Sequence, residues 1–447
     1  MNQDPRRIID ESPMSHLQII AVAITVALNA LDGFDVLSIS FAAPGIAKEW
    51  GIDRGQLGIV LSMELIGMAF GSVLIGGLAD KIGRRRMMLG CLAIMAVGMY
   101  MATTVAGIVQ LSAWRLLTGL GIGGMLATIN AVAAEFSNLK RRNLSLALMT
   151  IGYPIGAVVG GTIASHLLQG GDWRSVFVFG AAVTAGMIPL VYFFVPEPVH
   201  YLAEKRPDGA LERINGTLKR MGHPTVDELP PLSSEAPKRS IADILRPALI
   251  ATTLLVTLGY FAHIMTFYFI LKWSPKIVAD MGFAASSAGT VLVWANVGGA
   301  TGGAIFGFLA QKYDVRRMTI AALVAAGGAV ALFGAAGATT LTSLSLLAGF
   351  SGLFTNSAVV GYYTIFARAF PTHVRTTGTG FAIGVGRGGA ALSPIIAGYL
   401  FQAGVGLPTV AIAMAAGSLL SALALFMLPL RYADTVAEPE EAAPAVA

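Results

Sequence analysis

The sequence predicts an all-α membrane protein: twelve transmembrane helices in two six-helix halves, with both termini cytoplasmic. Composition, the spacing of apolar runs and an internal repeat carry that prediction. Of 447 residues 55% are hydrophobic, 53 are glycine and 12% are charged, against a charged share of roughly 25% in ordinary soluble domains. A soluble protein of this size could not cover its surface with so few charges. Soluble enzyme, disordered chain and nucleic-acid binder are thereby excluded. A span needs ~20 apolar residues, so the hydrophobic content fills about twelve. The single cysteine, Cys91, leaves no intrachain disulfide and no Cys-based metal cluster.

The elements follow in order. Residues 1–16 form a polar cytoplasmic tail without the basic, apolar and small-residue layout of a signal peptide. Apolar runs near 17–43, 56–79, 87–106, 109–136, 144–168 and 175–195 make an N-terminal bundle, 17–195. A charged, proline-bearing stretch, 196–245, reads as a cytoplasmic linker with one short polar helix around 208–221. Runs near 246–271, 287–310, 318–337, 340–367, 377–402 and 407–430 make a C-terminal bundle, 246–430, and 431–447 is a cytoplasmic tail. With the N-terminus cytoplasmic, 23 of the 30 basic residues fall on that side. The opposite side holds Lys48, Arg54, Arg174, Lys272 and Lys276, and Arg115 and Arg387 lie inside spans. That asymmetry sets the orientation, and it makes the basic pI a matter of topology, with no nucleic-acid partner implied.

The halves repeat. GGLADKIGRRR at 76–86 is echoed by GFLAQKYDVRR at 307–317, 231 residues later, and Arg142 with GYPIGAVVGG by Arg375 with GVGRGGAALSP. Six-span repeats in the same orientation are a transporter signature, with the substrate between the halves near the midplane. Two G-x-G-x-x-G matches, from Gly119 and from Gly384, lie inside apolar helices and follow no strand; they read as helix-packing glycines, not a dinucleotide site.

These residues resemble the major facilitator superfamily over essentially the whole chain. GGLADKIGRRR matches its loop signature between spans two and three, RLLTGLGIGG at 115–124 its fourth-span signature, and GDWRSVF and VPEPVHYL the flanks of span six. PTHVRTTGTGFAIGVGRGG matches its tenth-to-eleventh region. LDGFDVLSISFAAPGI in span one is similar to the Asp-Gly-aromatic-Asp motif of the aromatic acid:proton symporters. The resemblance implies the major facilitator fold and a proton symporter that imports a small aromatic acid by alternating access. It further implies no enzymatic activity, no metal, no cofactor besides the coupling proton, and a multi-pass monomer in the lipid bilayer of a bacterial inner membrane. The rival readings are a symporter of non-aromatic acids (monocarboxylates or acidic sugars), a metabolite or drug exporter, and a membrane-embedded sensor or enzyme. Against the last, no H-E-x-x-H, G-x-S-x-G or G-K-[ST] motif is present.

A charge inside a span costs at least ~2.5–3.5 kcal/mol, so each one needs a partner or a wet cavity. Asp32 and Asp35, three residues apart in span one, share a helix face, and two carboxylates so close in a low dielectric resist ionising together. They are the candidate proton-coupling pair, the alternative being an ion pair with a neighbouring helix such as the one carrying Arg115. Arg387 in span eleven can offer bidentate recognition of a carboxylate or pack against backbone carbonyls. Arg115 is expected to pair with Asp35 or Asp32 or to join the coupling, and Glu64 to face the cavity or pair with a base. His263 sits 231 residues after Asp32, at equivalent depth; a free imidazole titrates near neutrality, so it is either a substrate or proton group or a packed imidazole. Asn296, Asn356, Tyr260 and Trp294 complete the candidate binding set, the aromatics being able to stack on a ring, while Trp273 reads as interface belt. Asp80 and Arg84, with Gly76 and Gly83, form the loop signature that in the superfamily latches the cytoplasmic ends of the halves. In the second copy Gln311 replaces the acid and Asp314 the glycine.

Overall fold

The computed structural model describes residues 4–75, 78–229, 241–247, 249–335, 337, 340–371 and 374–428. Twelve of the helices in it are long and apolar enough to cross a membrane. We label them α1 (His16–Trp50), α2 (Arg54–Leu74), α3 (Arg84–Ala102), α4 (Ile108–Glu135), α5 (Arg142–Leu167), α6 (Arg174–Phe194), α7 (Ile250–Asp280), α8 (Ala285–Leu309), α9 (Val315–Ala335), α10 (Leu341–Ala369), α11 (Arg375–Gln402) and α12 (Leu407–Met427). No strand occurs among the described residues.

Side-chain caps fix several starts. Ser15 and Gln18 close a reciprocal capping box on α1, Asp53 and Gln56 do so on α2, and Thr340 caps α10. α1 and α7 run well past the apolar stretches at 17–43 and 246–271. Each continues through an internal proline, Pro44 and Pro275, positions also 231 apart. Proline usually ends a helix, but α1 goes on to Trp50 and α7 to Asp280, and Ile46, Ile277 and Val278 beyond the prolines are buried.

The packing repeats as the sequence does. α1 lies on α5 and α6, α2 on α4, and α3 on α4 and α6; α7 lies on α11 and α12, α8 on α10, and α9 on α10 and α12. The two sets meet through α2–α11, α5–α8 and α1–α7. Glycines permit the close approaches: a Cβ at Gly156 would strike the carbonyl of Ala30, and one at Gly119 the carbonyl of Glu64. Gly123 rests on the Met68 carbonyl, Gly386 on the Tyr260 ring and Gly389 on the Phe261 carbonyl, so both G-x-G-x-x-G runs are packing surfaces.

The α2–α11 contact is uneven. At the end bearing the α1–α2 connection, Gly58 meets the carbonyl of Pro394 and Gly398 that of Arg54. On the same face of α11, about four and five turns from Gly398, Gly384 and Gly380 have nothing within 4 Å of a Cβ. The last turn of α2 is open too, with Val73 and Leu74 exposed. The halves are thus wedged together at one end and splayed at the other.

Three short helices, Pro5–Glu11, Val199–Lys205 and Ala210–Met221, sit under the first half. Arg142 holds Asp10 at 2.5 Å, Asn138 donates to Ser12, and Arg220 donates to the Phe193 carbonyl.

Candidate functional site

Where α1, α2, α4 and α7 converge, four ionisable side chains are fully buried: Asp35, Glu64, Arg115 and Lys272. Glu64 is the hub. One carboxylate oxygen pairs with the Arg115 guanidinium and the other lies 3.8 Å from Lys272 Nζ. Arg115 also donates to the Asp35 backbone carbonyl at 2.9 Å, approaches Met99 Sδ and lies over the Phe177 ring at 5.3 Å. The partner of Arg115 is therefore Glu64, and the expected pairing with the Asp35 or Asp32 carboxylate is not formed. The reason is position on the helix: α4 presents Arg115 to the main chain of α1, while Glu64 on α2 points its carboxylate at the guanidinium.

Lys272 corrects the count of residues outside the spans. The apolar run ends at 271, but the helix does not, and the side chain reaches out of the second half into the first to donate to the Val36 carbonyl. Its neighbour Trp273 is equally buried, donating to the Pro394 carbonyl at 3.2 Å, so it is a packing residue between α7 and α11 and not belt. A lysine embedded in Leu271–Val278 of a single continuous helix was the available signal.

Asp32 and Asp35 are both buried, and among the described residues neither carboxylate has a hydrogen bond or an ion pair. Such groups are rare and high in energy unless something occupies them transiently. The charges of Asp35, Glu64 and Arg387 all act on Asp32. Arg387 is only partly buried and crosses from α11 to the Met68 carbonyl of α2 at 3.3 Å, with no acidic partner in ion-pair range among the described residues. Its charge also reaches Tyr260 and Tyr268. Tyr153 on α5 faces Tyr268 on α7 across the halves, close to Asp32 and Glu64; Tyr153 lies in a Gly/Pro-rich run that periodicity alone does not single out.

Other candidates fall elsewhere. His263 is buried with both nitrogens engaged, 2.9 Å from Ser418 Oγ and 2.9 Å from the Thr355 carbonyl, and its ring stacks near Tyr362. It is a packed imidazole tying α7 to α10 and α12. Trp294 is 48% exposed and shares its helix face with the exposed Ile305 and Phe308, an open apolar side of α8. Asn356 bridges α10 to the Gly299 carbonyl at 2.7 Å, and Asn296 donates to Leu292 in its own helix while sharing a face with Ala300 and Gly303. Tyr260 packs among Tyr362 and Phe366 with its hydroxyl 3.5 Å from that of Tyr363.

In the loop signature, Gly83 has φ 113° and a Cβ there would strike the Glu197 carboxylate. Glu197 accepts from the backbone N–H groups of Arg84 and Arg85, capping α3 from the start of the linker. Arg84 pairs with Glu135 of α4 at 3.3 Å, a contact inside the first half. Gly76 lies outside the described residues, as does the side chain of Asp80.

The fold and this buried charge between two repeated halves are those of a membrane transporter. The model of the Major Facilitator Superfamily matches residues 25–276 and 256–446, and the chain belongs to that superfamily. It is 28% identical over 415 residues to a gallate transporter of Pseudomonas putida, covering 90% of this chain and 89% of that one. It is 29% identical to a 3-(3-hydroxy-phenyl)propionate transporter of Escherichia coli K12, covering 94% and 96%. Among solved structures, an inward-facing bacterial homologue of the human lysosomal transporter Spinster superposes with TM-score 0.73 at 15% identity, covering 91% of this chain and 96% of that one; this likeness concerns the fold alone.

Proposed function

We propose that the chain imports a small aromatic carboxylic acid together with a proton, by rocking of the halves 17–195 and 246–430 about the site between them. The observation that carries this is the pairing of opposites left unsatisfied at the interface. Among the described residues, Asp32 is a buried carboxylate without a partner, and Arg387 is a part-exposed guanidinium held by a single backbone carbonyl. A proton on Asp32 or Asp35 and a carboxylate on Arg387 would satisfy both at once, which ties cargo to proton. Tyr153, Tyr260 and Tyr268 near these charges supply faces on which a ring can stack. The relatives named for gallate and for 3-(3-hydroxy-phenyl)propionate support an aromatic acid as cargo.

The splayed end carries Lys81 and Arg84–Arg86. By the distribution of basic residues it is cytoplasmic, with the termini and the linker on that side of a bacterial inner membrane, and the arrangement is inward-open. The loop signature then serves as a latch in the opposite state, with Arg84 held in reserve by Glu135. A single chain suffices, since the site lies wholly between its own halves.

Uptake by purified protein in proteoliposomes, with a panel of aromatic and aliphatic acids and with or without an inward proton gradient, tests the reading. Gradient-driven accumulation of benzoate-like acids is expected. An Asp32→Asn, Asp35→Asn double variant should retain exchange of acid across the membrane and lose accumulation. Accumulation without the gradient, or undiminished in the double variant, would overturn it.

A further inference from the structure

Among the described residues, Lys272 is the one buried cation that crosses the interface at the closed end. It belongs to the second half, yet its ammonium lies among groups of the first: the Glu64 carboxylate and the Val36 carbonyl. Eight residues further along α7, Asp280 meets Arg54 at 3.0 Å, the rim pair of the same closure. The two pairs differ in weight. Arg54 and Asp280 are substantially exposed, and exposed pairs contribute little. Lys272 and Glu64 are inaccessible to water, so removing Glu64 strands the Lys272 charge for as long as the end stays shut. Removing Lys272 leaves Glu64 with Arg115 alone and takes away the one charge that ties it to the second half. Opening the end admits water, which can solvate either group alone.

We propose that Lys272 is the gate cation of the closed end: its insertion against Glu64 holds the halves together there, and it must be withdrawn for that end to open. The role rests on the rocking of two halves and not on which acid is carried. A single lysine is suited to this. Its charge sits at the tip of a flexible stem, so it can leave with α7 without disturbing the Glu64–Arg115 pair, which is wholly inside the first half. Arg115 therefore keeps Glu64 in place as a fixed socket, and Lys272 is the part that moves.

The test is a distance measurement that reads the gate directly. Cys91→Ser removes the native thiol, and Gln169→Cys and Ala284→Cys place spin labels on exposed sites at the closed end, one on each half. Electron–electron distances are recorded in lipid nanodiscs. Lys272→Met should shift the population from short to long distances by about fivefold or more, the lower range of coupling between linked states. Lys272→Arg should restore the short distance, which a general packing defect would not permit. Glu64→Gln, which removes the socket charge and keeps the side chain's shape, should shift the population the same way and serves if Lys272→Met does not fold. Distance distributions in Lys272→Met or Glu64→Gln that match the parent would overturn the proposal. Because the readout needs neither cargo nor proton gradient, that failure is distinguishable from a failure of the proposed transport.

Discussion

The strongest energetic claim made by the structure is that Glu64 and Arg115 act as one unit, and a double-mutant cycle can measure it. Both side chains are inaccessible to water. Deleting one partner of a buried pair costs ~3–5 kcal/mol because a charge is left unmatched. Arg115→Met is expected at the low end, about 3 kcal/mol, because Lys272 remains 3.8 Å from Glu64 and methionine refills much of the volume beside Phe177. Glu64→Met strands two cations, Arg115 and Lys272, and should reach about 4–5 kcal/mol. The double variant removes the pair together and leaves Lys272 with the Val36 carbonyl. Its cost should fall short of the sum by about 2–3 kcal/mol, well above the ~0.5 kcal/mol that independent sites show. Equilibrium unfolding by dodecyl sulfate in mixed micelles, followed by tryptophan fluorescence, gives the three values. Additivity within ~0.5 kcal/mol would mean that the two groups are not a unit and would refute the network.

Arg387→Lys keeps the charge but loses the planar fork, so the concentration of acid giving half-maximal uptake should rise about tenfold while the maximal rate changes little; initial-rate uptake measures it, and an unchanged half-saturation would remove Arg387 from the site. At the first half's surface, burial holds the His200 imidazole below its ordinary value, with Asp10 3.9 Å away opposing the shift. The undocked histidine takes up a proton below about pH 6.5 and the docked one resists it, so docking of Val199–Lys205 should be intact above that pH and loosen as pH falls through it. Amide hydrogen exchange over 199–205 at pH 7.5 and 5.5 reads this, and His200→Gln should flatten the dependence.

Most of the architecture was legible because a bilayer imposes it. Twelve apolar runs, a six-span repeat and a basic-residue bias follow from the cost of exposing polar backbone and charge to hydrocarbon. The same cost exposed Asp32, Asp35, Glu64, Arg115 and Arg387 as residues needing a reason. What composition does not carry is the direction a side chain takes around its helix. Asp32 and His263 share a depth in the two repeats, yet His263 is absorbed by Ser418 and the Thr355 carbonyl, while Asp32 has no such neighbour among the described residues. Trp294 sits at a suitable depth and lies on an open apolar side of its helix. Lys272 was hidden for another reason: hydropathy ends a span at the first charge before a proline, but here packing of Ile277 and Val278 carries the helix on through Pro275.

The sharing of charge between the halves then constrains the transport cycle. The three acids, Asp32, Asp35 and Glu64, all belong to the first half, which supplies one cation of its own, Arg115. The other two cations near them, Lys272 and Arg387, come from the second half. Bringing the halves together therefore puts as many cations as acids in this region, and separating them would leave three carboxylates with one guanidinium. With Lys272 and Arg387 withdrawn, the proton of the proposed mechanism would offset the excess. On the proposed proton-coupled reading, this division of charge would favour loading a proton when this end is open and shedding it when the cations return.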